Sequence, residues 1–214
     1  MPCHDRSVGR QRQTNHPTRE SLLSTAVHLL ETKSPEQITV DDVLTESGIS
    51  SGSLYHHFGD LNALIDAAMV VRFARGVDWS IEVLGQAMGK ARDRKDLAAR
   101  LHQVTLQTQS PERRDVRGER VRAIARATTS PSFREALAPE QTRLTSGIAE
   151  VWSGLQERGL VSESIDPQAG SLFIQAYTLG LVLNDVSDDP VPFEAWVGMV
   201  DAVVDGTFVG LPAD

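Results

Sequence analysis

Between Ser50 and His57 the chain places three serines, a glycine, a tyrosine and two histidines: Ser50, Ser51, Gly52, Ser53, Tyr55, His56 and His57. Hydroxyls and imidazoles this dense suit nucleophilic catalysis, metal ligation, or hydrogen bonding to phosphates and polar edges. Catalysis needs a nucleophile, an acid–base pair or a metal set at workable spacing, and no such set is present. His28 and His102 are isolated in sequence, and the adjacent His56 and His57 diverge by about 100° on a helix, poor geometry for joint ligation. The single cysteine, Cys3, forms no internal disulfide and no structural zinc site. No enzyme activity, metal or cofactor is expected. Hydrogen bonding is the chemistry that remains.

The elements that would position these groups are short. Ser50 is placed to cap a helix over Ser51–Phe58, whose Leu54 and Phe58, four apart, point inward. The helical step then turns Gly52, Ser53, Tyr55 and His56 outward, with Ser51 and His57 at the flanks. A helix over Val40–Ser47 precedes it. Thr39 can cap that helix and Asp42 can answer with its carboxylate, while Val43 and Leu44 supply a buried face. Gly48 can take the left-handed conformation that reverses the chain at once, and Ile49 plugs the corner. Neither helix is long enough to stand alone, so tertiary packing must hold both. Two short helices joined by a tight turn, with a side-chain-free Gly52 on the outer face, form the geometry that docks in a duplex groove.

The stretch Ile38–Phe58 closely resembles the DNA-binding signature of the TetR family: Thr, an apolar pair, Gly, a small polar pair, Gly, Leu-Tyr and His-Phe occur in order and without gaps. Compatible helices on either side widen the resemblance to roughly 18–68. It implies that Thr39, Ser50, Ser51, Tyr55 and His57 meet phosphates, while Gly52, Ser53 and His56 sit nearest base edges. One position departs from the pattern. Family members usually carry Lys three residues after this Phe, where this chain has Leu61, preceded by Asp60. A phosphate clamp is missing.

Charge sharpens that point. The formal net charge of −8 disfavours a polyanion partner, because phosphate binding draws on Lys and Arg. Residues 1–19, however, hold Arg6, Arg10, Arg12 and Arg19 against Asp5 alone, whereas residues 20–60 hold Lys33 against seven acids. A basic flexible arm over 1–17 is therefore expected to compensate for the missing clamp.

The chain is expected to be all-α: the arm, a three-helix helix-turn-helix domain over 18–62, and a helical effector-binding and dimerisation domain over 63–214. Thr18 is read as the cap of the first helix, which ends near Lys33. Later helices are expected near 61–90, 93–109, 112–127, 132–158, 167–186 and 192–209, separated by Pro, Gly and Ser. The opening residues lack the apolar run of a secretory signal, and no apolar run is long enough for a membrane span, so a soluble, cytoplasmic protein is expected.

A single helix-turn-helix reads only a few base pairs, so two copies on a palindromic operator are expected. Leu172, Ala176, Leu179 and Leu183, with Trp196, Val200 and Val203, are the candidate homodimer interface, since both of the final helices are apolar on more than one side. The resemblance puts dimer contacts on these same two helices. Trp79, His102, Leu106, Trp152, Phe173 and Tyr177 are candidates for lining a small-molecule site, as large or amphipathic groups within the larger domain. The run Glu112–Arg126 carries six arginines, with Arg113 and Arg117, or Arg122 and Arg126, on shared faces. It reads as a solvated ion-paired face, an anionic-ligand contact or a further DNA contact; Arg122 and Arg126 are the pair taken as candidate ligand contacts, for a carboxylate or acyl effector. Two functions fit: a repressor released from DNA by a small effector, or a regulator that is constitutive or controlled by a protein partner.

Overall fold

The computed structural model describes residues 17–210, and helix is the only regular secondary structure among them. The basic arm ahead of Pro17 and Cys3 lie outside the described residues. The chain divides into two compact units, one running to Met69 and the other beginning at Val70.

The first unit contains α1 (Pro17–Leu29), α2 (Val40–Ser47), α3 (Ser51–Phe58) and the first turns of α4 (Leu61–Gly89). α1 starts at Pro17, whose missing N–H has no partner to lose in a first turn, so Thr18 lies inside the helix rather than capping it. α1 stops at Leu29, and a turn closed by the Lys33 N–H on the Leu29 carbonyl leads to a single 3-10 turn, Pro35–Gln37. Leu22 and Ala26 of α1, Val43 of α2, Leu54 of α3 and Leu64 and Ala68 of α4 are fully buried. Leu64 and Ala68 place the end of this unit seven residues beyond the boundary at 62 that the sequence suggests. Asp60 starts α4 by accepting from the Ala63 N–H at 2.8 Å.

The second unit is built from the rest of α4, α5 (Arg94–Gln109), α6 (Arg114–Thr129), α7 (Pro131–Glu157), α8 (Pro167–Gly180), α9 (Val182–Asp185) and α10 (Phe193–Val203), which runs on into a π-helical turn, Val204–Val209. Asp93, Ser130 and Asp166 cap α5, α7 and α8. No helix among the described residues is long and apolar enough to cross a membrane. The expected single helix over 167–186 is broken at the buried Leu181.

Two buried polar devices tie this unit together. Between α7 and α8, Gln175 donates to Thr145 Oγ1 at 3.1 Å and accepts from Gln141 at 2.8 Å, and Ser171 donates to the Thr145 carbonyl at 2.9 Å. Satisfied on all sides, such a network fixes one register between the helices. The second device is Arg117 of α6, 3% exposed. Its guanidinium grips Asp185 of α9 with two bonds of 2.8 and 2.7 Å, and its remaining donors reach the carbonyls of Gln109 and Ser110 at 3.3 and 2.9 Å.

Arg117 holds the Asp185 carboxyl below its ordinary value. A depressed folded value stabilises the fold above the unfolded value, near 4, and the contribution is lost as pH falls through the folded one. Removing one partner leaves a buried charge alone, so Arg117→Ala should cost about 3–5 kcal/mol in urea unfolding at pH 7, while the paired change Arg117→Met with Asp185→Leu restores most of it. Equal losses in the single and double variants would contradict this role for the pair.

Candidate nucleic-acid interface and ligand cavity

The outer face of α3 follows from how its ends are fixed. Gly48, at φ +67°, stops α2 by giving its N–H to the Leu44 carbonyl at 3.0 Å. Ser50 then opens α3, its hydroxyl accepting from the Ser53 N–H at 3.4 Å and lying 3.2 Å from the Ser53 hydroxyl. At α2, Thr39 accepts from the Asp42 N–H at 3.2 Å, and its own N–H and hydroxyl donate to the Asp42 carboxylate at 2.9 and 2.8 Å. Bonds from Lys33 and Thr39 hold that carboxyl down to about 2.

With Leu54 buried, Ser51, Gly52, Tyr55 and His56 are exposed, and Ser53 and His57 are half-buried. Tyr55 is 51% exposed, which leaves much of its ring and its hydroxyl open to a partner. All eight residues expected to contact DNA are therefore exposed or half-buried. Phe58 is only half-buried, with the Arg19 guanidinium 4.9 Å from its ring centre. The two basic side chains of the unit's described residues are both engaged, Arg19 on Phe58 and Lys33 with Asp42 at 2.7 Å. This face thus offers hydroxyls, imidazoles and backbone amides rather than cations.

In the second unit, α4, α5, α6, α7 and α8 converge on a cavity of about 90 Å³. Apolar side chains such as Leu101, Val104, Ile148 and Ile174 form much of its wall, and Trp79, Tyr177, Thr105 and Thr108 bring in aromatic and hydroxyl groups. Three arginines join them: Arg113, Arg117 and Arg120. Arg117 is spent on Asp185. The other two meet no carboxylate among the described residues: Arg113 lies over the Trp79 ring, 4.0 Å from its centre, and Arg120 lies 5.5 Å from the centre of Phe73. Glu119, the nearest acid in sequence to Arg120, is held by Arg72. Desolvation and then the charge of Arg117 lower the Arg113 guanidinium, and desolvation followed by Arg113 lowers Arg120. Burial pushes the Tyr177 phenol up to about 12 against the effect of its hydrogen bond with Gln109, so it stays protonated.

Comparison with known proteins gives these two sites a common setting. Residues 22–68 match the family of bacterial regulatory proteins, tetR family, and residues 97–209 match the BetI-type transcriptional repressor, C-terminal. The chain belongs to the TetR family. It is a DNA-binding transcriptional regulator with a C-terminal ligand-binding domain, and not an enzyme. No curated protein matches the sequence. Among solved structures, a transcriptional regulator from Saccharomonospora viridis in complex with choline is 17% identical, with a TM-score of 0.64 over 89% of this chain and 97% of that one. A TetR-family regulator from Mesorhizobium loti is 16% identical at 0.65, over 88% and 94%, and reduced E. coli NemR is 21% identical at 0.62, over 93% and 100%. At these identities the likeness is one of fold.

Against this TetR-family fold, the ligand candidates divide. Trp79 and Tyr177 line the cavity; the other six do not. His102 pairs with Asp201 of α10 at 2.7 Å, Leu106 is half-buried off the wall, and Trp152, 6% exposed, packs in the core against Phe208. Phe173 is 45% exposed. Arg122 points to solvent and Arg126 lies over Phe133. Of the two faces the arginine run offers, the one that holds Arg113 and Arg117 is inward rather than that of Arg122 and Arg126, and Arg120, which the sequence does not single out, lies with it. Of the interface candidates, Leu172, Ala176 and Leu183 are exposed and Trp196 and Val203 half-buried. Val200 is 6% exposed and belongs to the core, and Leu179 lines the cavity.

The α3 geometry separates residues that hold the module from residues that its outer face leaves open to a partner. Ser50→Ala should cost about 1 kcal/mol of stability through the lost cap. His56→Ala and Tyr55→Phe should change urea stability by less than about 0.5 kcal/mol, yet weaken DNA binding by about 1–3 kcal/mol in fluorescence anisotropy. Unaltered DNA affinity in both would remove α3 from the interface.

Proposed function

We propose that the protein is a homodimeric repressor that reads a palindromic operator through Thr39, Ser50, Ser51, Gly52, Ser53, Tyr55, His56 and His57, and leaves it when a small molecule occupies the cavity. The observation that carries this reading is the cavity itself, walled by five helices and mixing apolar, hydroxyl and charged groups as small-molecule sites do. That a neighbour of the same fold was solved with choline supports a compact occupant. α4 gives the reading its route: Leu64 and Ala68 are packed in the first unit, while Trp79 and Ser80, further along the same helix, line the cavity. Occupation that shifts α4 would change the spacing of two recognition helices across a dimer.

Exposed apolar side chains on the last three helices support the dimer. Leu172 of α8, Leu183 of α9 and Met199 of α10 are 61%, 75% and 61% exposed, and a second copy packed on these helices would cover them. Leu172→Glu with Leu183→Glu should give a monomer in analytical ultracentrifugation; a wild-type protein already monomeric at micromolar concentration would contradict the dimer.

Selection of bound DNA from a random pool tests the operator directly: a palindrome is expected, and a site without two-fold symmetry would rule out the dimeric reading. The electrostatics give a further prediction. Removing residues 1–16 takes away Arg6, Arg10 and Arg12, and should reduce the slope of log affinity against log salt by up to about 2.7, at roughly 0.9 per phosphate contact. An unchanged slope would show that the arm makes no phosphate contact.

A further inference from the structure

Most arginines of the second unit are matched to a carboxylate or a carbonyl. Arg72 holds Glu119, Arg117 holds Asp185, Arg143 holds Asp78 and Glu140, and Arg158 caps the carbonyls of Met88 and Ala91. Arg113 and Arg120 break that pattern. Both reach the cavity, both are half-buried, and each lies against an aromatic ring with no hydrogen-bonded or ionic partner among the described residues. Removing guanidinium groups from water without an acceptor is unfavourable, and two of them beside one cavity repel each other as well. Surface arginines relax into solvent; these are held by the wall they line.

The missing partner is an anion. We propose that the effector is a short-chain carboxylate whose carboxyl group lies between Arg113 and Arg120 and whose tail meets Leu101, Val104, Ile148 and Ile174. A guanidinium fork matches a carboxylate in two parallel bonds, which favours this headgroup. Inorganic phosphate shares the charge but would leave the apolar wall unmatched. A quaternary ammonium would meet two uncompensated cations. The hydroxyls of Thr105 and Tyr177 lie on the same wall, whereas that of Thr108 is given to the Val104 carbonyl at 2.8 Å. Size limits the tail: the cavity, about 90 Å³, is smaller than the ~150 Å³ space that takes up benzene, so the acyl chain is short. The inference rests on the small-molecule reading above and names the class of molecule it takes.

The test compares four compact probes at fixed ionic strength, butanoate, butanamide, tetramethylammonium and inorganic phosphate, by thermal shift and calorimetric titration of the full chain. Butanoate should raise Tm through binding to the folded state, and the other three should not. Arg113→Met and Arg120→Met should each weaken butanoate by about tenfold or more, the loss of one charge-assisted contact. Neither ligand-free variant should melt more than about 3 °C below the wild type, because each loses a contact with one ring and no hydrogen-bonded or ionic partner among the described residues. That readout distinguishes a binding role from a structural one: variants that lose both butanoate and thermal stability would show the arginines to be structural. A response to tetramethylammonium or phosphate in place of butanoate would overturn the carboxylate assignment while leaving a small-molecule regulator intact. A butanoate response that survives both substitutions would also overturn it. No response to any of the four likewise rejects the inference, and operator release by a different metabolite would then still support the proposed function.

Discussion

Arg117 fixes the orientation on which the sensor domain depends. Four of its five N–H donors are taken by the Asp185 carboxylate and by two carbonyls at the end of α5, so α6 cannot rotate without leaving a charge buried and unpaired. Arg113 lies four residues before it and Arg120 three residues after, a spacing that puts all three on one side of the helical path. Holding Arg117 inward therefore holds the other two toward the cavity. The stable ion pair and the unpaired cations have the same geometric cause.

The DNA-reading unit is built differently. Its two short helices gain little from helical propensity and are held instead by local devices at their ends, Thr39 with Asp42, Gly48, and Ser50, and by one fully buried side chain each, Val43 and Leu54. Because the caps consume the hydroxyls of Thr39 and Ser50, those two residues couple stability to any contact they make with phosphate. Tyr55 and His56 carry no such load. Its described residues hold only Arg19 and Lys33 as arginine or lysine side chains, one on Phe58 and one paired with Asp42, while the sequence ahead of Pro17 is basic.

The contrast explains what could be read from sequence. Caps and turns are local: Thr39, Gly48 and Ser50 announce α2 and α3 with their boundaries, and the three-to-four-residue spacing of Leu54 and Phe58 turns the reading face outward. The cavity is assembled from five helices, and no spacing along the chain says which faces meet. Residue type alone points to Trp79 and Tyr177, but it points equally to Trp152, which is core because Gly170 lets α8 approach its indole. The arginine run was visible as a feature, but choosing its inward face needs Asp185, 68 residues away from Arg117. The same holds for Val200, whose burial depends on the packing of α10 against α5 and not on its own helix.

Regulation requires that the cavity and the DNA-reading face be thermodynamically linked, and linkage is reciprocal. The decisive measurement is operator affinity by fluorescence anisotropy with and without saturating butanoate, in the wild type and in the Arg113→Met, Arg120→Met double variant. The expected result is weakened operator binding in the wild type alone, with the variant holding DNA equally well in both conditions. Unchanged operator affinity in a wild-type protein whose cavity is shown by titration to be saturated would contradict it.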